Sequence, residues 1–360
     1  MKLVLKFVNG IFITVIFLWT GVLMLYIFAS IDLLSFKQAD NVKKVGHSHK
    51  VDVSPASDEM RVESDKAEVT DTARYNKLLL HLVHNKPSVK WPVNAGYPLP
   101  GALLPYNRIV AFYGNLYSTR MGILGALPEA ELLKQLAEEA DKWRQADTCM
   151  PVIPALHYIA VTAQRNPGKD RKYRLHMPAT EIDKVLLLAE KAHAIVFLDI
   201  QPGWSSLQEE LPLLEKYLAR PDVHLGIDPE YSMKNRQVPC TAIGTFDAED
   251  INYAISWLAA LVQQYNLPPK MLVVHRFTQG MVTNYSNIRI KPEVQFVMNM
   301  DGFGGVAKKL DTYRSWISGE PVQFTGFKLF YKNDVETGGH LMQPAEVLAL
   351  FPKPVYIQYQ

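Results

Sequence analysis

The sequence is short of several things that would have pointed to a ready answer. Cysteine is nearly absent, with Cys149 and Cys240 alone among 360 residues. That excludes a disulfide scaffold, and the expectation is two unpaired thiols. An excess of one charge is also missing: 38 basic residues stand against 36 acidic ones, for a net charge of +2. Nothing in that balance suggests a nucleic-acid partner. No glycine-rich phosphate turn follows the first strand-like run, which argues against an open doubly wound sheet. No H-x-H follows that run, and no pair of histidines has ligand spacing, so neither a metal nor a cofactor is expected.

What is present begins at the N-terminus. Between Phe7 and Ile31 there is no charged residue, and a helix rising ~1.5 Å per residue over that length reaches ~37 Å, enough to span a bilayer with some tilt. The run is longer than the apolar core of a cleaved signal peptide, and no cysteine follows to make a lipobox. Lys2 and Lys6 precede it. The expectation is therefore a signal anchor over residues 1–31, in contact with lipid through residues 7–31. The chain would be a single-pass protein of the cell membrane with its C-terminal part outside the cytoplasm. Residues 32–74 are rich in Lys, Asp, Glu and Ser with isolated valines, too little apolar surface to offset the entropy of ordering, and read as a disordered linker. His47 and His49 belong to that linker as solvated residues. Residues 75–105 carry a short helical pattern at Tyr75, Leu78, Leu79, Leu82 and Val83, then a proline-rich run from Pro87 to Pro105. They read as an extended lead-in.

From residue 106 to 360 strand-length apolar runs alternate with segments of helical period. The runs are Arg108 to Gly114, Pro151 to Tyr158, Ala194 to Gln201, Val223 to Tyr231, Met271 to Thr278, Val294 to Asp301, Phe324 to Tyr331 and Val355 to Tyr359. Eight strands joined by crossovers in about 255 residues match an α/β fold of the (β/α)8 TIM-barrel type.

In such a barrel the chemistry lies at the carboxyl ends of the strands. Acids stand there at three exits from otherwise apolar runs: Asp199, the pair Asp228 and Glu230, and Asp301. Side chains two apart on a strand share a face, so Asp228 and Glu230 are expected to point the same way. Four carboxylates around one mouth repel, which raises the pKa of at least one. A protonated acid beside an ionised one is what cleavage of a glycosidic bond requires. Glu230 is the expected general acid and Asp228 tunes it. Asp199 and Asp301 are candidates for nucleophile, base or orienting group. Tyr113, Asn115, His157, Gln201, Trp204, Tyr231, His275, Arg276, Asn299 and Tyr331 are the expected substrate-binding residues, the aromatic ones as faces for sugar rings. A hydrolytic metal centre drawn from His157, Asp199, Asp228, Glu230, His275 and Asp301 is an alternative. Ser205 and Ser206 lie in a GWSS turn that lacks the glycines of a nucleophile elbow.

The D-x-E at the end of the fourth run resembles the end of the chitinase-type glycoside hydrolase motif, and VMNMDGFG is similar to that family's M-x-Y-D segment. The resemblance implies Glu230 as acid, Asp228 as its partner and Asp301 as a stabiliser of an acetamido group or intermediate. The upstream aspartates of that motif are here Val223, His224 and Gly226. Over its whole length the barrel region, with PVIPALHYIA, FLDIQPGWS, LGIDPEYSM, LVVHRFT and DGFGG in order, is more similar to an uncharacterised group of bacterial membrane-anchored or lipoprotein barrels of hydrolase-like type. Together these imply a tethered glycosidase acting on cell-wall or surface polysaccharide, of peptidoglycan type or otherwise. A barrel that binds a glycan or envelope protein without catalysis is the alternative.

Overall fold

The computed structural model describes residues 70–360. The anchor expected over residues 1–31 and the linker as far as residue 69, with His47 and His49, lie outside the described residues. Within the described residues no helix is long and apolar enough to cross a membrane.

Eight parallel strands form a closed barrel: β1 (Arg108–Gly114), β2 (Val152–Ala163), β3 (Ile195–Ile200), β4 (Val223–Ile227), β5 (Lys270–Arg276), β6 (Val294–Met300), β7 (Phe324–Leu329) and β8 (Tyr356–Tyr359). Each pairs with the next in sequence, and β8 pairs back onto β1 through Ile109 with Tyr356 and Phe112 with Tyr359. Strands covered on both faces read as continuous apolar runs, which is why VHLGI and KMLVV show no polar alternation.

The outer face is covered by amphipathic helices. Helix α1 (Thr72–Leu82) precedes the barrel, α2 (Glu129–Ala146) follows β1, α3 (Ala179–Ala192) follows β2 and α4 (Ala248–Tyr265) follows β4. Leu132, Leu136, Ala140 and Trp143 of α2 recur at helical spacing and are buried in the layer between helices and sheet. Helix α4 starts where Asp247 and Asp250 form a reciprocal cap and stops at Asn266 in the left-handed conformation. The β5–β6 connection carries no α-helix, only 3-10 turns at Gln279–Met281 and Tyr285–Asn287 and a two-residue strand, Val282–Thr283, paired with Phe246–Asp247.

The second strand runs five residues past Tyr158 to Ala163, where its end pairs antiparallel with Arg174–His176, and two further differences from the sequence reading each have a local reason. The fourth strand stops at Ile227 and does not run to Tyr231. Pro229 has no N–H to give to a ladder, and Pro229–Tyr231 forms a 3-10 turn instead. Asp228 and Glu230 therefore do not share a strand face: Asp228 leaves in extended geometry and Glu230 sits on the turn above it. The lead-in is likewise not a mere approach. Tyr75, Leu78 and Leu82 of α1, with Leu104, pack against Ile109, Ala155, Phe197, Met271 and Val297 at the amino end of the barrel interior. This stopper is fixed by Gln295, which accepts from the Leu103 and Leu104 N–H groups at 2.9 and 3.0 Å and donates to the Leu104 carbonyl at 2.5 Å.

Gln295→Leu should lower the unfolding free energy by on the order of 3 kcal/mol, because it strands several buried backbone groups. Leu213→Ala, at a 59% exposed position, should change it by no more than about 0.5 kcal/mol. Urea unfolding of the two variants measures both, and equal effects would contradict the stopper.

Candidate active site

Alternation along each strand decides what reaches the barrel interior. Register places Tyr113 beside His157, Asp199 beside Gly226, His275 beside Asn299, and Lys328 beside Gln358. These inward positions form a polar layer over the apolar interior, and Asp228 and Asp301 continue it past the ends of β4 and β6. Two glycines make room for it. A Cβ on Gly226 would stand 2.3 Å from His157 Nε2, and one on Gly326 would stand 2.6 Å from Asn299 Oδ1.

The cations are unevenly shared. Lys328 Nζ lies 2.8 Å from Asp301 Oδ1 and 3.8 Å from the centre of the Tyr113 ring. His275 Nδ1 lies 2.9 Å from Asp301 Oδ2. Burial pushes the Asp301 carboxyl up, but Lys328 and then His275 outweigh it and hold the group at about 2. Asp199 also ends below its ordinary value. Burial raises it, and His275 and His157 more than compensate. Its Oδ2 accepts from the Tyr113 hydroxyl at 3.1 Å. Burial lowers His157 to about 4, so its ring is neutral near pH 7. The Tyr113 hydroxyl is pushed well above its usual range by burial and by Asp199.

Asp228 and Glu230 receive no such partner. Burial, then Glu230, Asp199 and Asp301, drive Asp228 well above the ordinary carboxyl range. Burial and the Asp301 charge push Glu230 up to about 7. Asp199 and Asp228 are buried, whereas Glu230 and Asp301 keep partial exposure at the mouth. The mouth thus presents one carboxyl group that holds its proton near neutrality and one that has lost it.

Asp199, Asp228, Glu230, Asp301, Tyr113, His157, His275 and Asn299 all converge, but Asp199, His157, His275 and Asn299 are fully buried and lie too deep to meet a substrate as expected. Four residues stand at the rim. Gln201 bridges the Ala163 N–H and the Tyr113 hydroxyl, and Asn115 bridges Ile159 and Tyr117. Trp204 packs on Tyr173 at 4.2 Å beneath Arg236, and Tyr231 lies against Glu230. Two expected residues face elsewhere. Arg276 points out of the barrel and is consumed by Glu320 at 2.6 Å and by the carbonyls of Thr278, Gln279, Val282 and Trp316. Tyr331 stacks on Tyr359 at 5.1 Å and edges Phe112 in the outer layer. Strand parity carries the reason for Arg276, since its neighbour His275 already faces inward. Lys328, Tyr356 and Gly226 belong to the site and had no assigned role; parity with Gln358 and Asp199 would have placed Lys328 and Gly226.

Fold and mouth together define a parallel (β/α)8 barrel with a carboxylate cluster at the carboxyl ends of its strands. No family model matches the sequence, and no curated protein is similar to it. Among solved structures, the chain is similar to "The structure of GH26C from Muricauda sp. MAR_2010_75", at 10% identity over 80% of this chain and 82% of that one, with a TM-score of 0.31. A likeness of that size bears on neither residues nor reaction.

A carboxyl group raised from 4.5 to about 7 keeps in the folded state a proton that the unfolded chain releases first. Its contribution therefore destabilises the fold increasingly as pH rises from about 4.5 to about 7. Glu230→Gln removes that penalty. Its stability relative to the parent should improve by about 3 kcal/mol between pH 4.5 and pH 8, read from urea unfolding at the two values; a pH-independent difference would contradict the assignment.

Proposed function

We propose that the protein is a glycoside-hydrolase-like enzyme that cleaves O-glycosyl bonds in cell-wall or surface polysaccharide, peptidoglycan-type glycans included. The observation that carries this reading is the split between Glu230, protonated near neutrality, and Asp301, ionised by Lys328 and His275, both partly exposed at one barrel mouth. Glu230 gives its proton to the glycosidic oxygen as the bond from that oxygen to the anomeric carbon breaks, and the bonding pair leaves with the oxygen. Asp301 faces the positive charge left on the sugar. Water then adds to the anomeric carbon and yields a proton that restores the starting protonation. Asp228, buried and with its carboxyl held well above the ordinary range by burial and by Glu230, resists becoming a second negative charge beside Glu230.

The proposal extends to location. Residues 7–31 would anchor the chain in the cell membrane, with the barrel outside the cytoplasm and residues 32–69 as its tether. Recovery in the membrane fraction, lost on deletion of residues 1–31, is the expected result.

For the chemistry, full-length protein should release reducing ends from at least one glycan in a panel that includes peptidoglycan. The rate should fall as pH rises through about 7, where Glu230 loses its proton. Glu230→Gln should cut turnover at least about a hundredfold while glycan binding persists. Glycan binding with no turnover in the parent chain would leave a binding barrel instead of an enzyme.

A further inference from the structure

Three donor atoms meet inside the barrel, one layer below Glu230, with no hydrogen bond among them. His157 Nε2 lies 3.4 Å and His275 Nε2 3.7 Å from the same oxygen, Asp199 Oδ1, and all three atoms lie within 4.8 Å of one another. His157, Asp199 and His275 are completely buried. Each of these three atoms lacks a hydrogen-bond partner, which is rare for buried polar groups.

The opposite edge of each side chain is, by contrast, firmly held. His157 Nδ1 is 2.6 Å from the Tyr356 hydroxyl, which also accepts from Gln358 at 2.9 Å. His275 Nδ1 is 2.9 Å from Asp301 Oδ2. Asp199 Oδ2 accepts from Tyr113. The contact with Asp301 at Nδ1 fixes the His275 ring so that Nε2 faces Asp199 Oδ1. The two atoms stand 3.7 Å apart. A proton on Nε2 would not repair this, because the contact is longer than a hydrogen bond.

A small cation would. Two ligand atoms each ~2.0–2.2 Å from a tetrahedral ion stand about 3.3–3.6 Å apart, close to the 3.4 and 3.7 Å seen around Asp199 Oδ1. The held edges are the outer partners that orient histidine ligands in metal sites. Gly226 completes the pattern, since any Cβ there would stand 2.3 Å from His157 Nε2 and 2.4 Å from Asp199 Oδ1. A larger residue would separate the donors.

We propose that His157 Nε2, His275 Nε2 and Asp199 Oδ1 bind one first-row divalent metal ion of the zinc type, with the remaining coordination positions taken by water. Two imidazoles select such an ion over Mg2+ and Ca2+, which prefer oxygen ligands. Tyr356, Asp301 and Tyr113 are positioning residues for the three ligands. The site stands whether or not Glu230 is the acid of a glycosidase.

The test strips the full-length protein with a chelator, titrates it with Co2+ while following visible absorption, and measures Zn2+ by competition. One ion per chain is expected, with the visible bands of nitrogen-ligated Co2+ and no displacement by excess Mg2+. His275→Gln and Asp199→Asn should each weaken Zn2+ binding at least about a hundredfold, and Tyr356→Phe about tenfold. Glu230→Gln should keep the full stoichiometry. Failure of the parent chain to take up Co2+ overturns the site whatever the variants do, as does unchanged Zn2+ affinity in folded His275→Gln or Tyr356→Phe protein. Zinc binding with no glycan cleavage would defeat the glycosidase reading alone, and Glu230-dependent cleavage without metal uptake would defeat this one alone.

Discussion

One ammonium group faces too many acids. Lys328 projects into a mouth that also holds Asp199, Asp228, Glu230 and Asp301, and it commits to Asp301 at 2.8 Å. Burial makes each unneutralised carboxylate expensive, so the groups without a cation hold protons instead. Asp301 stays charged, Asp199 borrows two imidazoles, and Asp228 and Glu230 rise. The division of labour at the mouth is a consequence of that shortage. It needs no special property of Glu230 beyond its burial on a turn under the charge of Asp301, which outweighs the pull of Lys328.

The rest of the fold keeps this arrangement rigid. The interior below the polar layer is apolar, from Ala111 and Phe197 to Val273 and Val297, and its amino end is closed by α1 and Leu104. A buried polar layer is tolerable only if its members satisfy one another, and most do: Tyr113 with Asp199, His157 with Tyr356, His275 with Asp301. Asp228 Oδ1, Asn299 Oδ1 and Gln358 Oε1 are unpaired, but at His157, Asp199 and His275 three such buried atoms lie within 4.8 Å of one another. Gly226 and Gly326 show that the wall is shaped around these side chains, since neither position has space for a methyl group.

Much of this was legible in the sequence. Eight apolar runs of strand length gave the barrel, because strands buried on both faces have no other way to be written. The acids stood out because each interrupts or ends such a run. What escaped notice depended on partners distant in sequence. Tyr75, Leu78 and Leu82 looked like a short amphipathic helix, and only the closed sheet offers the floor they cover. Pro229 was visible, yet the fourth strand was carried past it; a residue without an N–H at a strand exit marks the end of the ladder. His157 and His275 have no ligand spacing because they come from β2 and β5, and closure of the barrel is what brings them together. Arg276 and Tyr331 stand near strand ends, which in sequence is indistinguishable from a place at the mouth. Arg276 could have been set aside by parity, since two consecutive strand residues cannot both face inward.

The central claim is that the mouth holds Glu230 protonated beside an ionised Asp301. Carboxyl-carbon NMR of full-length protein labelled in Glu and Asp, with resonances assigned by Glu230→Gln and Asp301→Asn, reads both groups directly. The account predicts a Glu230 midpoint of about 7, while Asp301 remains ionised until the pH approaches about 2. A Glu230 midpoint at the ordinary glutamate value near ~4.3 would contradict it.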